Sequence, residues 1–205
     1  MRRGANMGIL RVDHPDIMEF IHCKDQGNVI QNFNISVAIT TDFMEGLAAA
    51  CTCEDSIEPL DWGYNLINPH TGKVGGRYCA HFIWDKIITS AHKTGDPGLI
   101  FIDRINAGKA NPILGWKVES TNPCGEQPLY PYDSCNLGSI NLGNFAENER
   151  VDYVRLEQVV RYAVRFLDDV IDTNYFPLPE IREITKSIRR IGLGVMGWAD
   201  MLIKL

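Results

Sequence analysis

No run of the 205 residues approaches the roughly 18 consecutive apolar side chains that read as a membrane span. The opening Met1-Arg2-Arg3-Gly4-Ala5-Asn6 has no apolar signal-peptide core. The reading is therefore a cytoplasmic protein with no membrane partner. Basic charge is also short: 20 Lys and Arg stand against 26 Asp and Glu, a net charge of −6, which gives no general attraction to nucleic-acid backbones. Local basic clusters occur at Arg2-Arg3 and Arg189-Arg190. Six cysteines without a small secreted framework point to reduced, catalytic or metal-bound thiols rather than structural disulfides. A pair of zinc knuckles is missing too. Cys51 and Cys53 form Cys-x-Cys, while Cys79 and His81 form Cys-x-His, and this short spacing favours incidental thiols over a metal site. No internal repeat or low-complexity stretch is present, and 45% hydrophobic with 22% charged residues is ordinary for a globular domain.

What is there alternates strands with helices. Arg2 to Gly8 reads as a polar, glycine-punctuated loop running into Ile9-Leu10-Arg11-Val12. A short helix carrying Ile17, Phe20 and Ile21 is expected, with Asp13 as its N-cap. Asn32 to Thr40 alternates Phe33, Ile35, Val37 and Ile39, the period of a strand, and a helix over Phe43 to Ala50 should follow. Cys51 to Tyr78 is rich in Asn, Pro, Gly and Asp and reads as turns or a small hairpin. Phe82, Ile83, Ile87, Ile88 and Ala91 predict a helix, and Gly98 to Ile102 a buried strand followed by a polar connector. Leu156, Val159, Val160, Ala163, Leu167, Val170 and Ile171 make the clearest helix, with Asp152 placed to cap it. Another carries Ile181, Ile184, Ile188 and Ile191, with Arg189-Arg190 near its C-terminal end where they complement the dipole. Gly192, Gly194 and Gly197 fit Gly-x-Gly-x-x-Gly, yet a helix precedes them, so close helix packing explains them better than dinucleotide binding. The class is α/β.

The stretch with chemistry in it is Ser120-Thr-Asn-Pro-Cys-Gly-Glu-Gln-Pro128. Asn122, Cys124 and Glu126 occupy alternate positions, so an extended segment would send an amide, a thiol and a carboxylate out on one face. Pro123 restricts the backbone before the cysteine and Gly125 clears space after it. Cys135 lies eleven positions later, at the start of a run that reads as a strand. Three chemistries stay open: a thiol hydrolase using one of His14, His22, His70, His81 or His92; thiol-disulfide exchange between Cys124 and Cys135; and radical chemistry. In the radical case a Cys124 thiyl removes a hydrogen atom, Glu126 is general base toward a neighbouring hydroxyl, and Asn122 holds that hydroxyl.

Asn122-Pro-Cys-Gly-Glu-Gln-Pro-Leu129 followed by Ser134-Cys-Asn-Leu-Gly-Ser-Ile-Asn-Leu142 resembles the finger-loop region of ribonucleotide reductases, and Asn-Pro-Cys-Gly-Glu is similar to the adenosylcobalamin-dependent class II enzymes. Arg2 to Asp16, Asn32 to Val37, Thr94 to Asn106 and Arg189 to Gly197 resemble the same family in the same order, so the likeness spans nearly the whole chain. It implies part of a ten-stranded α/β barrel over residues 1–205, with the cysteine at the tip of an internal loop.

By that resemblance Cys124 carries a transient thiyl that takes the 3′ hydrogen of a ribonucleoside di- or triphosphate. Glu126 takes the 3′ hydroxyl proton, Asn122 binds the same hydroxyl, and Cys135 is one member of the reducing thiol pair. The resemblance implies that the pair's other member lies on the first barrel strand, N-terminal to this region, and the chain departs from the family's pattern there, since none of Cys23, Cys51, Cys53 and Cys79 sits in a matching motif. Arg2, Arg3, Gly4, Ala5 and Asn6 resemble the end of the loop that relays the identity of a dNTP or ATP effector to the substrate base. Adenosylcobalamin as cofactor, a thioredoxin-like reductant and a homodimer of the full-length enzyme belong to the same set of implications. The expectation is a truncated or split chain, inactive alone. Its rivals are a class I large chain served by a separate metal-containing subunit and a non-catalytic remnant that needs complementation.

Overall fold

The computed structural model describes residues 4–25, 30–48, 63–109 and 111–205, and these fall into two compact units, residues 1–130 and 131–205. In the first, β1 (Asn6–Arg11), helix α1 (Ile17–His22) and β2 (Phe33–Ala38) form a crossover that returns the chain parallel to itself. β1 pairs with β2 from Asn6 opposite Phe33 to Arg11 opposite Ala38. Helix α2 (Thr41–Ala48), the antiparallel ribbon of β3 (Tyr64–Ile67) and β4 (Val74–Tyr78), and helix α3 (Ala80–Thr94) lead to β5 (Gly98–Ile100), which joins the other edge of β2 in the order β1-β2-β5. Ile35, Ser36, Val37 and Ala38 are all buried, as befits a central parallel strand covered on both faces. Val12, Ile17, Ile21, Val37, Ile39, Phe43, Ile83 and Ile87 make the core of this unit.

Several expected features shift. Asp13 does not cap α1: it accepts two hydrogen bonds from Arg11, and Asp16 holds the N-cap position without a side-chain bond. An adjacent guanidinium offers a charged carboxylate better bonds than a helix amide does. The strand at Gly98 stops at Ile100, and Ile102–Ala107 is a short helix, α4. Its apolar residues are too few to show a helical period. The polar connector after it is held by Asn106, whose Oδ1 accepts from Val118 N at 2.7 Å and whose Nδ2 donates to Val118 O at 2.9 Å. The unit ends with β6 (Ser120–Thr121) paired antiparallel to β7 (Pro128–Leu129).

In the second unit β8 (Asn136–Asn141) leads through a 3₁₀ turn (Leu142–Phe145) into a two-residue ribbon, β9 (Ala146–Glu147) and β10 (Arg150–Val151). Helix α5 (Tyr153–Thr173) starts as expected, Asp152 Oδ1 accepting from Arg155 N at 3.0 Å. Helix α6 (Pro179–Ile188) ends at Arg189 in the left-handed conformation, and β11 (Ile191–Met196) then pairs in parallel with β8, Ile191 opposite Asn136 and Met196 opposite Asn141. Gly192 and Gly194 therefore sit in a strand, not in a helix junction. Gly197, at φ +67°, turns the chain into α7 (Trp198–Lys204), and a Cβ there would lie 2.0 Å from Asn141 Oδ1. Ile140, Leu142, Phe145, Ala146 and Met201 form the core against which Leu156, Val159, Val160, Ala163 and Leu193 pack. Among the described residues no helix is long and apolar enough to cross a membrane.

Candidate functional site

The β6–β7 pairing brings Thr121 opposite Pro128, and six residues close the loop between them. The loop is not extended. Gly125 N donates to Asn122 O at 3.0 Å, which makes Asn122-Pro123-Cys124-Gly125 a β-turn with Cys124 in the third position. Cys124 keeps a negative φ, which excludes a type II turn, while Gly125 at φ +82° takes the left-handed backbone that lets the chain return toward β7. Asn122 closes the base of the loop twice over: its N donates to Gln127 O at 3.2 Å, and its Oδ1 accepts from Gln127 N at 2.9 Å. Cys124, Gly125 and Glu126 are exposed at the tip and Asn122 is half-buried below them.

The alternation expected from an extended strand is thus replaced by a turn, for the reason already visible in Pro123 and Gly125: both favour reversal over extension. The three side chains stay within one small loop. Their chemistry divides cleanly. The Oδ1 of Asn122 is committed to the backbone, so its Nδ2 is the atom left to donate to a hydroxyl, while Glu126 offers an acceptor that can take a proton. Asn34 of β2, a residue that strand periodicity gives no reason to single out, donates from Nδ2 to the Pro123 carbonyl.

Cys135 lies in the second unit, half-buried just before β8, its Sγ 3.5 Å from Asn136 O. Asp133, with its side chain fully buried, pairs with Arg190 Nε at 2.8 Å, and Ser134 Oγ meets Thr185 Oγ1 at 2.8 Å. Gly192 faces this thiol, for a Cβ there would sit 3.6 Å from Cys135 Sγ. The Arg189-Arg190 pair thus spends its guanidinium groups on Asp168, Asp172 and Asp133 rather than on the end of α6.

Of the proposed effector-loop residues, Arg2 and Arg3 lie outside the described residues; Gly4 and Ala5 are exposed, and Asn6 opens β1, its N bonded to Asn32 O at 2.9 Å. Cys51 and Cys53 also lie outside the described residues. Cys79 is buried, and among the described residues no three His, Cys, Asp or Glu side chains gather as a metal site would require. Burial pushes the Cys23 thiol up, away from the reactive thiolate.

Comparison with known proteins places these features in context. The family model described as ribonucleotide reductase, barrel domain, matches residues 1–205. A protein of Thermoplasma acidophilum named vitamin B12-dependent ribonucleoside-diphosphate reductase is 55% identical over all of this chain and 25% of its own length. One of the same name from Mycobacterium tuberculosis is 47% identical over all of this chain and 28% of its length. The chain therefore spans about a quarter of the length of the curated relatives it matches. Among solved structures, the Actinobacillus ureae class Id ribonucleotide reductase alpha subunit shares the fold with a TM-score of 0.66 at 24% identity, over 96% of this chain and 34% of that one. The chain belongs to the ribonucleotide reductase barrel-domain family.

Proposed function

We propose that this chain is the radical-bearing segment of a vitamin B12-dependent ribonucleoside-diphosphate reductase. The observation that carries the reading is the finger turn itself, with an exposed thiol at its tip, an exposed carboxylate two residues on, and an amide whose Nδ2 remains available below them. The closest fit in chemistry is hydrogen-atom transfer at a ribose. Adenosylcobalamin, when bound, supplies the radical that removes the hydrogen atom from the Cys124 thiol. An exposed thiol at a turn tip fits that need, since the atom is reachable from outside the loop.

The Cys124 thiyl then takes the 3′ hydrogen of the ribonucleotide, Glu126 accepts the 3′ hydroxyl proton, and the Asn122 amide holds that hydroxyl in place. The 2′ hydroxyl departs as water with a proton from a thiol pair that includes Cys135. The pair also supplies the hydrogen that replaces the hydroxyl at the 2′ carbon and is left as a disulfide, Glu126 returns its proton to the 3′ oxygen, and the 3′ hydrogen returns from Cys124 to carbon, restoring the thiyl. The sum is balanced: ribonucleotide plus two thiols gives deoxyribonucleotide, water and one disulfide. Outside reduction of that disulfide by a thioredoxin-like dithiol, an effector read through residues 2–6, and a homodimer belong to the same reading. So does a cytoplasmic location.

The test is product formation in the full-length reductase containing this sequence. Deoxyribonucleoside diphosphate should form only with adenosylcobalamin present, and Cys124→Ser should abolish it. Turnover that persists in Cys124→Ser, or that proceeds without adenosylcobalamin, would overturn the reading.

A further inference from the structure

The bonds inside the finger turn fix its shape but not where it stands relative to the sheet. One bond that bears on that placement comes from the N-terminal end of β2. β5 begins opposite Ser36, so the backbone of Phe33 and Ile35 lies beyond the end of the β2–β5 ladder. Among the described residues, an ion pair lies against that edge. Lys24 Nζ donates to the Phe33 carbonyl and pairs with Asp96 at 2.9 Å, while Asp96 Oδ1 accepts from Ile35 N at 3.4 Å. Both side chains are largely withdrawn from solvent, 13% and 24% exposed, so screening weakens them less than it would a surface pair.

Asn34 sits between these two clamped residues, opposite Met7 of β1, and donates from Nδ2 to the Pro123 carbonyl. That oxygen belongs to the peptide plane that ends at the Cα of Cys124. Because the plane is rigid, holding its oxygen fixes the Cys124 N–Cα bond, the axis about which the Cys124 side chain is set. We propose that Asn34, braced by Lys24 and Asp96, is a positioning residue that aims the Cys124 thiol. What that thiol then does rests on the reductase reading; where it points does not.

The test uses Asn34→Asp in the full-length reductase, a change that keeps size and sets an acceptor against the carbonyl, and Asn34→Ala, which removes the donor without repulsion. Two quantities are read. One is turnover, where misaiming a reacting atom lowers kcat by about 10-fold or more with KM for the ribonucleotide unchanged. The other is the rate of iodoacetamide alkylation at Cys124, followed by mass spectrometry with Cys135 as internal reference. Both variants should change the Cys124 rate severalfold and leave Cys135 alone. Adding Lys24→Met to Asn34→Asp should cost little further, because the two act on one contact. Unchanged rates at Cys124 would overturn the proposal, as would equal shifts at both thiols, which mark general loosening. If the wild-type enzyme makes no deoxynucleotide yet Cys124 alone responds, the reductase reading fails and the positioning stands.

Discussion

The Asn122 side chain carries one bond that the structure shows and one role that the proposed mechanism assigns to it. Its Oδ1 closes the loop on Gln127 N, and its Nδ2 is the donor the proposed mechanism needs at the 3′ hydroxyl. Asn122→Asp separates the two, since a carboxylate can still accept from Gln127 N but can donate nothing. Turnover in this variant should fall by roughly 100-fold, the scale of losing one positioned donor, with the melting temperature unchanged. Wild-type turnover in Asn122→Asp would remove the amide from the mechanism, and a collapse in melting temperature would show the loop role to be the larger one. Residue types and spacing made these three side chains legible in advance. Nothing local revealed that one amide oxygen was already committed, because that bond spans five positions and depends on how the turn folds.

At the scale of elements, helix α5 followed its sequence closely, cap and period included, because a 21-residue amphipathic helix is decided by its own pattern. The contact it makes with the end of α6 was not legible. Arg189 ends α6 at φ +52° and reaches back across 21 positions to Asp168 Oδ1 at 2.9 Å, and to Asp172 through two bonds of 3.0 and 2.9 Å. These bonds hold both carboxyls below the usual carboxylate range. A carboxylate whose folded pKa is depressed contributes stability that is fully present above the unfolded value, about 3.9, and lost as pH falls through the folded one. The groups are half-exposed, so the contribution is modest. Urea midpoints of wild type and Arg189→Met should differ by a constant amount from pH 7 to about pH 5 and converge below about pH 4. A gap of the same size at pH 3 would show that Arg189 acts through packing rather than charge. Likewise β11 was misread as a helix junction, since glycines give no period and its pairing partner β8 lies more than fifty positions earlier.

Across the whole molecule, alternating strands and helices already implied an α/β fold, and the motif order implied the family, which the barrel-domain match over residues 1–205 bears out. The chain corresponds to 25% and 28% of the length of two relatives, and within it the thiol and carboxylate of the finger turn are exposed. Radical chemistry needs a site closed to water. The 205-residue chain by itself, given adenosylcobalamin and a dithiol, should therefore make no deoxynucleotide, and product detected by chromatography would refute this.

Sequence alone determined which atoms could do chemistry: a thiol, a carboxylate and an amide within five residues, in a pattern long enough to identify a family, and helices whose periodicity is set by neighbours three and four positions apart. Only the tertiary structure decided how those atoms are presented. It folded an expected extended run into a turn, committed the Asn122 oxygen to the backbone, placed Gly192 against the Cys135 thiol, and brought Asn34 from nearly ninety positions away to the carbonyl next to Cys124. The reason is the range of the forces involved. Propensity and period act over a few residues, whereas hydrogen bonds between strands and loops are chosen only once the chain has closed on itself.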